Sequence, residues 1–234
     1  MGIKQRQERD REAVRRAILD AARELFMSEG YGNVSIRKIA ERVEYSPAAL
    51  YSYFPSKDDI FFALAEDGFQ LLHDAPSRGA VDACLPLERI RATFARLYQF
   101  SLDHPEHFSL MFVDRTVPRI GQEYERFTLA RQMKAQLVSQ VQQCIDAGLF
   151  PHGTPALVAS RLLAASLVGV ALMRLSDRLA PGENGEDLAL DVVDVVIAGL
   201  QSGIRLRSHS LTDPCPLEAP RAATGLHPSE EPHP

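Results

Sequence analysis

The 234-residue chain has little of what would tie it to several large classes of function. Its three cysteines, Cys84, Cys144 and Cys215, stand far apart with no CxxC pair, so neither a zinc knuckle nor a disulfide framework is indicated. That usage suits a reducing compartment, and a cytoplasmic location is expected. Long apolar runs are also missing. The longest, LLAASLVGVALM at 162–173, is bracketed by Arg161 and Arg174, and twelve residues fall short of the roughly 20 that a bilayer demands. It reads as a deeply buried helix, and no membrane partner is expected. The opening MGIKQRQERDREAVRR is charged where a secretory leader needs an apolar core, so no leader is expected. No stretch alternates as a strand would. No Gly-rich phosphate loop, nucleophile–base constellation or paired-carboxylate motif is visible, which argues against an enzyme and leaves no cofactor to expect. A surplus of positive charge is lacking too, since the net charge is −5. Its distribution is uneven. Residues 1–16 hold six basic against three acidic residues, a net of +3, and residues 1–60 a net of +1, which leaves −6 for the remainder. Nucleic acid is thereby permitted and not demanded.

What is present is helical period almost throughout, which predicts an all-α fold. Between Arg9 and Glu29, the residues Val14, Ile18, Ala21, Ala22, Leu25 and Phe26 share one face, and Gly30 suits a left-handed stop. Ser35 can cap a short helix, Ile36–Val43, with Ile36, Ile39, Ala40 and Val43 inward. Ser46-Pro47 is a helix start, because serine caps well and proline is tolerated at the first helical position. Pro55 should end that helix near Phe54. Ser56 opens the next, to about Asp74, with Asp58 and Asp59 favouring its positive end. A break follows at 75–86. Longer helices are expected near Leu87–Asp103, Pro105–Phe112, Ile120–Ala147, Thr154–Leu179 and Glu186–Leu206. Six of the fifteen prolines fall in residues 207–234, which reads as a disordered tail.

Two short helices joined around Glu44-Tyr45-Ser46 make a helix-turn-helix unit. Leu50 and Phe54, four apart, should face the bundle. Ser46, Pro47, Ala48 and Ala49 form the leading end, where small side chains allow close approach to base edges. The hydroxyls of Tyr51 and Tyr53 can donate to phosphate oxygens, and Lys57 can add a charge contact.

These residues carry a family resemblance. The span VSIRKIAERVEYSPAALYSYFPSKDDIFFAL, residues 34–64, resembles the DNA-binding domain of TetR-family (TetR/AcrR-like) transcriptional regulators in its S-P-x-x-L-Y-x-Y-F-x-S-K spacing, and LFMSEGYGNVS resembles the end of the family's first helix. The resemblance implies an all-helical homodimer with an N-terminal DNA reader, a C-terminal ligand-binding and dimerisation domain, and ligand-controlled repression at a double-stranded DNA operator. It implies phosphate contacts from Ser35, Tyr51, Tyr53 and Lys57, and a base-proximal set of Arg37, Pro47, Ala48 and Ala49. A guanidinium at Arg37 can bond guanine bidentately. The basic arm, residues 1–8, is expected to be unstructured and solvated, within reach of a minor groove. Where the family commonly has Gly, this chain has Glu44, so that residue must accept a positive φ or the turn must shift. The expected domains are 1–56, the reader; 57–206, the regulatory domain with 57–74 as connecting helix; and the tail.

The regulatory half is read from its physical pattern. Helix 154–179 is apolar nearly all round, with Ala164, Ala165, Ser166 and Gly169 allowing close approach, and helix 186–206 lines Val192, Val193, Val196, Leu200 and Ile204 on one face. Together they are expected to form the homodimer interface, although both would also serve as core of a monomer. Ligand candidates lie between: Phe94 and Tyr98, with Leu97, then Phe108, Met111 and Phe112, then Phe127 and Met133, with Leu137. Such residues are also the ordinary makings of a core, but as a group they suggest an apolar, adaptable effector pocket. Arg115, Arg119 and Arg131 read more readily as solvated surface than as partners for an anionic head. His104 and His107, three apart, lack further ligands at metal spacing, so the pair reads as a helix junction and no metal is expected. The rival functions are a helical small-molecule binder or enzyme with a vestigial DNA unit, and an activator with the same reader.

Overall fold

The structure, a computed structural model, describes residues 2–75, 85–114 and 128–208. Among these the regular elements are nine α-helices and a 3-10 turn, with no strand. Phe127, Arg115, Arg119, Cys84, Cys215 and the tail from 209 onward lie outside the described residues.

Helix α1, Ile3–Glu29, is longer than the apolar period indicates. Its first turns carry the polar sequence of the supposed arm, exposed on every side. That is a correction: residues 3–8 are helix, and a helix with no buried face has no apolar stripe to mark it. Gly30 stops α1 at φ 80, and the 3-10 turn Tyr31–Asn33 leads into α2, Ile36–Arg42. Three serines then cap in succession. Ser35 Oγ accepts from Lys38 N at 3.2 Å to open α2. Ser46 Oγ accepts from Ala49 N at 3.1 Å to open α3, Pro47–Tyr51. Ser56 Oγ accepts from Asp59 N at 3.1 Å to open α4, Lys57–Asp74. Each satisfies an amide that the helix itself leaves without an acceptor. Regular helix in α3 stops three residues earlier than expected. The amide of Tyr53 bonds to Leu50 O at 2.9 Å, and this tighter turn swings Phe54 into the core before Pro55.

The remaining helices are α5 (Pro86–Asp103), α6 (Pro105–Phe112), α7 (Thr128–Asp146), α8 (Ala156–Leu175) and α9 (Gly185–Gln201). Helices α8 and α9 end sooner than their apolar patterns. Asp177 at φ 52 and Gly203 at φ 74 break them in left-handed turns.

Two apolar clusters hold the molecule. The first joins Ile18, Phe26, Ile39 and Leu50 of the first three helices to Phe61 and Leu64 of α4, and runs on to Phe108 and Met111 of α6. The second joins Phe94, Val141, Leu163, Leu167, Val193 and Ile197 of α5, α7, α8 and α9. The short helices therefore share a continuous core with α4 and α6. Gly68 makes that contact possible. A Cβ there would lie 2.4 Å from Met111 Sδ and 3.4 Å from His107 Cβ, so α6 sits directly on the α4 backbone.

The expectation that 162–173 is deeply buried needs correcting. Helix α8 buries Val158, Leu163, Leu167 and Val170 but leaves Leu162, Leu172 and Met173 exposed. At 20 residues it is also the single helix among the described residues that is long and apolar enough to cross a membrane, and here its inner face serves as core.

Candidate functional site

Helix α3 is anchored from below. Leu50 and Phe54 are fully or almost fully buried, a contribution of about 1.5–3 kcal/mol each. With that face fixed, the opposite edge has to point outward. Ser46, Pro47 and Ala48 are exposed, Ala49 is half-buried, and Tyr51 is 54% exposed with its hydroxyl unengaged among the described residues. Tyr53 is half-buried beneath the Arg11 guanidinium, which lies 5.8 Å from its ring centroid. Arg15 lies 5.2 Å over the Phe54 ring. Two cations of α1 therefore flank the C-terminal end of α3, and the outer surface gains positive charge that a count over the whole chain conceals.

The turn before α3 depends on Glu44. Its φ is 59, so the residue takes the left-handed conformation instead of shifting the turn. The amide of Glu44 bonds to Glu41 O at 3.3 Å and that of Tyr45 to Ala40 O at 2.9 Å, the two bonds of a Schellman stop. The turn that sets the angle between α2 and α3 is thus intact, at a cost on the order of 1 kcal/mol.

On α2, Ser35 and Arg37 are exposed, and Arg37 Nε donates to Glu41 Oε1 at 3.3 Å. That ion pair is open to water on both sides and contributes little, so the guanidinium is free to exchange one acceptor for another. Lys57 differs from a free phosphate ligand. Its ammonium donates to Tyr31 O at 2.8 Å and sits 4.0 Å from the Tyr31 ring centroid. Tyr31, buried between Phe26 and Phe61, donates its hydroxyl to Asp58 Oδ1. Burial first, and that carboxylate second, push its phenol far above the usual range. Nothing in the local pattern marks this tyrosine as more than part of a connection, yet it fixes where Lys57 stands.

A second site lies between α4, α5, α6, α7 and α8. A cavity of about 560 Å³ is lined by Phe94, Met111, Phe112 and Met133, joined by Phe69, Leu72, Leu97 and Leu137. Two expected pocket residues stand elsewhere. Phe108 is fully buried in the first cluster, behind the cavity wall, and Tyr98 lines a separate groove between α5, α8 and α9. Both are on the predicted helices, but helical spacing does not say which neighbour each helix face meets. Arg96 of α5, unmarked in the sequence, borders the cavity, and burial lowers its affinity for a proton. His107 is buried against Gly68 with both ring nitrogens unpartnered among the described residues. Its pKa falls to about 4, chiefly through burial, with Arg23 and His104 adding to the depression. It is therefore a neutral core residue. Among the described residues no group of three metal-ligating side chains exists.

The family profile described as bacterial regulatory proteins, tetR family, matches residues 18–64, and a tetracyclin repressor-like C-terminal domain profile matches residues 90–196. A nucleoid occlusion factor, SlmA of Vibrio campbellii, is 31% identical over 163 residues, spanning 66% of this chain and 78% of its own. The HTH-type transcriptional repressor KstR of Mycobacterium tuberculosis is 30% identical over 83 residues, 36% of this chain and 38% of that protein. Among solved structures, the TetR family transcriptional regulator PfmR from Thermus thermophilus aligns with a TM-score of 0.58 at 20% identity, over 78% of this chain and 98% of PfmR, a likeness of fold.

Proposed function

The chain belongs to the tetR family of bacterial regulatory proteins and is a DNA-binding transcriptional regulator, and from that premise we propose that it works in the cytoplasm as a homodimeric repressor released from a palindromic operator by a small, largely apolar effector. In this reading residues 1–56 are the reader, 57–206 the regulatory and dimerisation domain, and 57–74 the link between them. The observation that carries it is the division of α3 and the turn that follows it: Leu50 and Phe54 are buried in the core, and Pro47, Ala48 and Tyr51 are exposed. The exposed edge enters the major groove, Arg37 reads a base edge, and Ser35, Tyr51 and Tyr53 hold phosphates, with Lys57 joining them only by exchanging its bond to Tyr31 O for a phosphate oxygen. Helix α1, with Arg11 and Arg15, runs along the backbone beside it.

The second copy is supported by the uncovered apolar side chains of α8 and α9. Leu162, Leu172, Met173, Leu190 and Val195 are exposed in the single chain, Val195 at 70%. Two α8–α9 pairs packed about a two-fold axis cover them, and the same axis relates two α3 helices as a palindrome requires.

Coupling runs through α4. Its Phe69 and Leu72 line the cavity, its N-terminal Lys57 stands at the reader, and Arg16 of α1 is tied to Asp67 at 3.2 Å. An effector that fills the cavity favours a different tilt of α4 and so a different separation of the two α3 helices. It must prefer the DNA-incompetent state by several kcal/mol to empty the operator. The test is a duplex selected by the protein from a random pool, titrated with and without cavity ligands. Weakened DNA binding with a ligand in the cavity is expected, and unchanged binding by every ligand that enters it contradicts the coupling.

A further inference from the structure

The cavity's apolar lining is interrupted by Thr93 and Arg96 of α5, Lys134 of α7, and Ser160 and Arg161 of α8. Thr93 and Arg96 of α5 line both the cavity and a second space of about 290 Å³ between α5 and α7, so the two are adjacent. The character changes at that point. Phe94, Leu97, Met111, Phe112, Met133 and Leu137 give way to Arg89, Gln136, Gln140 and Gln143. Across both spaces the lining contains the cations Arg89, Arg96, Lys134 and Arg161 and no carboxylate among the described residues. The Nε atoms of Arg89 and Arg96 are buried and have no acceptor among those residues, although Arg89 also donates through Nη2 to Gln143 Oε1, which leaves Arg96 as the less satisfied of the two. A buried guanidinium N–H without an acceptor is costly, and no carboxylate lines the site among the described residues to supply one to Arg96.

We infer that the effector is a single-chain anionic amphiphile, whose hydrocarbon tail fills the cavity and whose carboxylate or phosphate head accepts from Arg96 at the mouth of the α5–α7 groove. The inference rests on the ligand-released reading above and specifies the ligand for that same cavity. The volume lies in the range that holds a small molecule, and the planar fork of a guanidinium suits either head group. Neutral Gln136, Gln140 and Gln143 supply further donors without repelling the anion.

Four probes with one tail and different heads test it: dodecanoate, dodecyl phosphate, dodecanol and dodecyltrimethylammonium. Isothermal titration of the full chain should show either anion binding at least tenfold tighter than dodecanol, with the cation weakest, and the ratio of the two anions identifies the head. Arg96→Gln should reduce anion affinity tenfold or more and leave dodecanol unchanged, while Arg96→Lys should restore part of the loss. Equal binding of dodecanol, tighter binding of the cation, no binding by any probe, or an anion preference untouched by Arg96→Gln each overturns the inference. Duplex binding separates this from the parent reading. Anion binding that leaves the duplex bound upholds the ligand class and defeats ligand release; release by dodecanol or the cation alone does the reverse.

Discussion

The short helices of the reader and the linking α4 begin differently from three helices of the regulatory half, although α9 is capped by Asn184 and α1 has no side-chain cap. Helices α2, α3 and α4 each open on a serine whose hydroxyl accepts from the third residue beyond it. Helices α5, α6 and α8 open at Leu85, His104 and Pro155 with no side-chain cap, and the first two rely on a proline at the first helical position. Helices α3 and α2 are short, five and seven residues, so their local signals must be strong. The back helices are long enough to be defined by what they pack against. A short helix fixed by its own caps holds its angle wherever the rest of the chain moves; long helices fixed by packing shift when a cavity fills. In the reading proposed above, the first kind of helix suits a surface that reads DNA and the second a site that takes a ligand.

Four substitutions or conditions break or sharpen that contrast. Phe54→Ala removes the ring that pins α3 and should cost about 3–5 kcal/mol in urea unfolding, with DNA binding lost at moderate temperature. His107 tests the junction between the halves. Its folded pKa, about 4, lies below the ordinary 6.5, so above pH 6.5 both folded and unfolded chains hold it neutral. As pH falls from there, the unfolded chain takes a proton that the folded chain refuses, and stability drops until about pH 4. Between pH 7.5 and 5 the loss should be about 2 kcal/mol, absent in His107→Leu, as read from unfolding midpoints. Ser46→Ala deletes the α3 cap and should cost about 1 kcal/mol, with a larger effect on DNA affinity than the same change at the exposed Ser208. Glu44→Gly relieves the left-handed strain and should gain up to about 1 kcal/mol while strengthening DNA binding by removing an acid near the duplex.

The reader was largely legible in its sequence because each helix signals itself: Ser35, Ser46 and Ser56 mark starts, Pro55 marks an end, and Glu44 stands where the turn requires a positive φ, which it adopts. Leu50 and Phe54 face inward because nothing else in so short a helix can anchor it. The misses have a common cause. The start of α1 is polar on all sides, so apolar period begins only at Val14. Tyr31 in GYGN carries no periodic signal, and its position over Lys57 follows from a chain reversal. In the back half, apolar residues announce burial without naming the partner. Phe108 turns to the first cluster while Phe112 turns to the cavity, and the exposed Leu172 and Met173 of α8 are as apolar as its buried Leu163 and Leu167. Arg96 becomes notable only when the lining around it is seen to hold no carboxylate among the described residues.

The outward edge of α3 is where the account stands or falls. An acid at position 48 sits in the first turn of α3, where the helix dipole tolerates it, so Ala48→Glu should keep the fold while placing a negative charge against the duplex. Titration of a duplex selected by the wild-type chain, at fixed salt, should show a palindromic site bound by wild type and a loss of at least a hundredfold in Ala48→Glu with an unchanged unfolding midpoint. Equal affinity of the two proteins, or selection of no symmetric site, would contradict it.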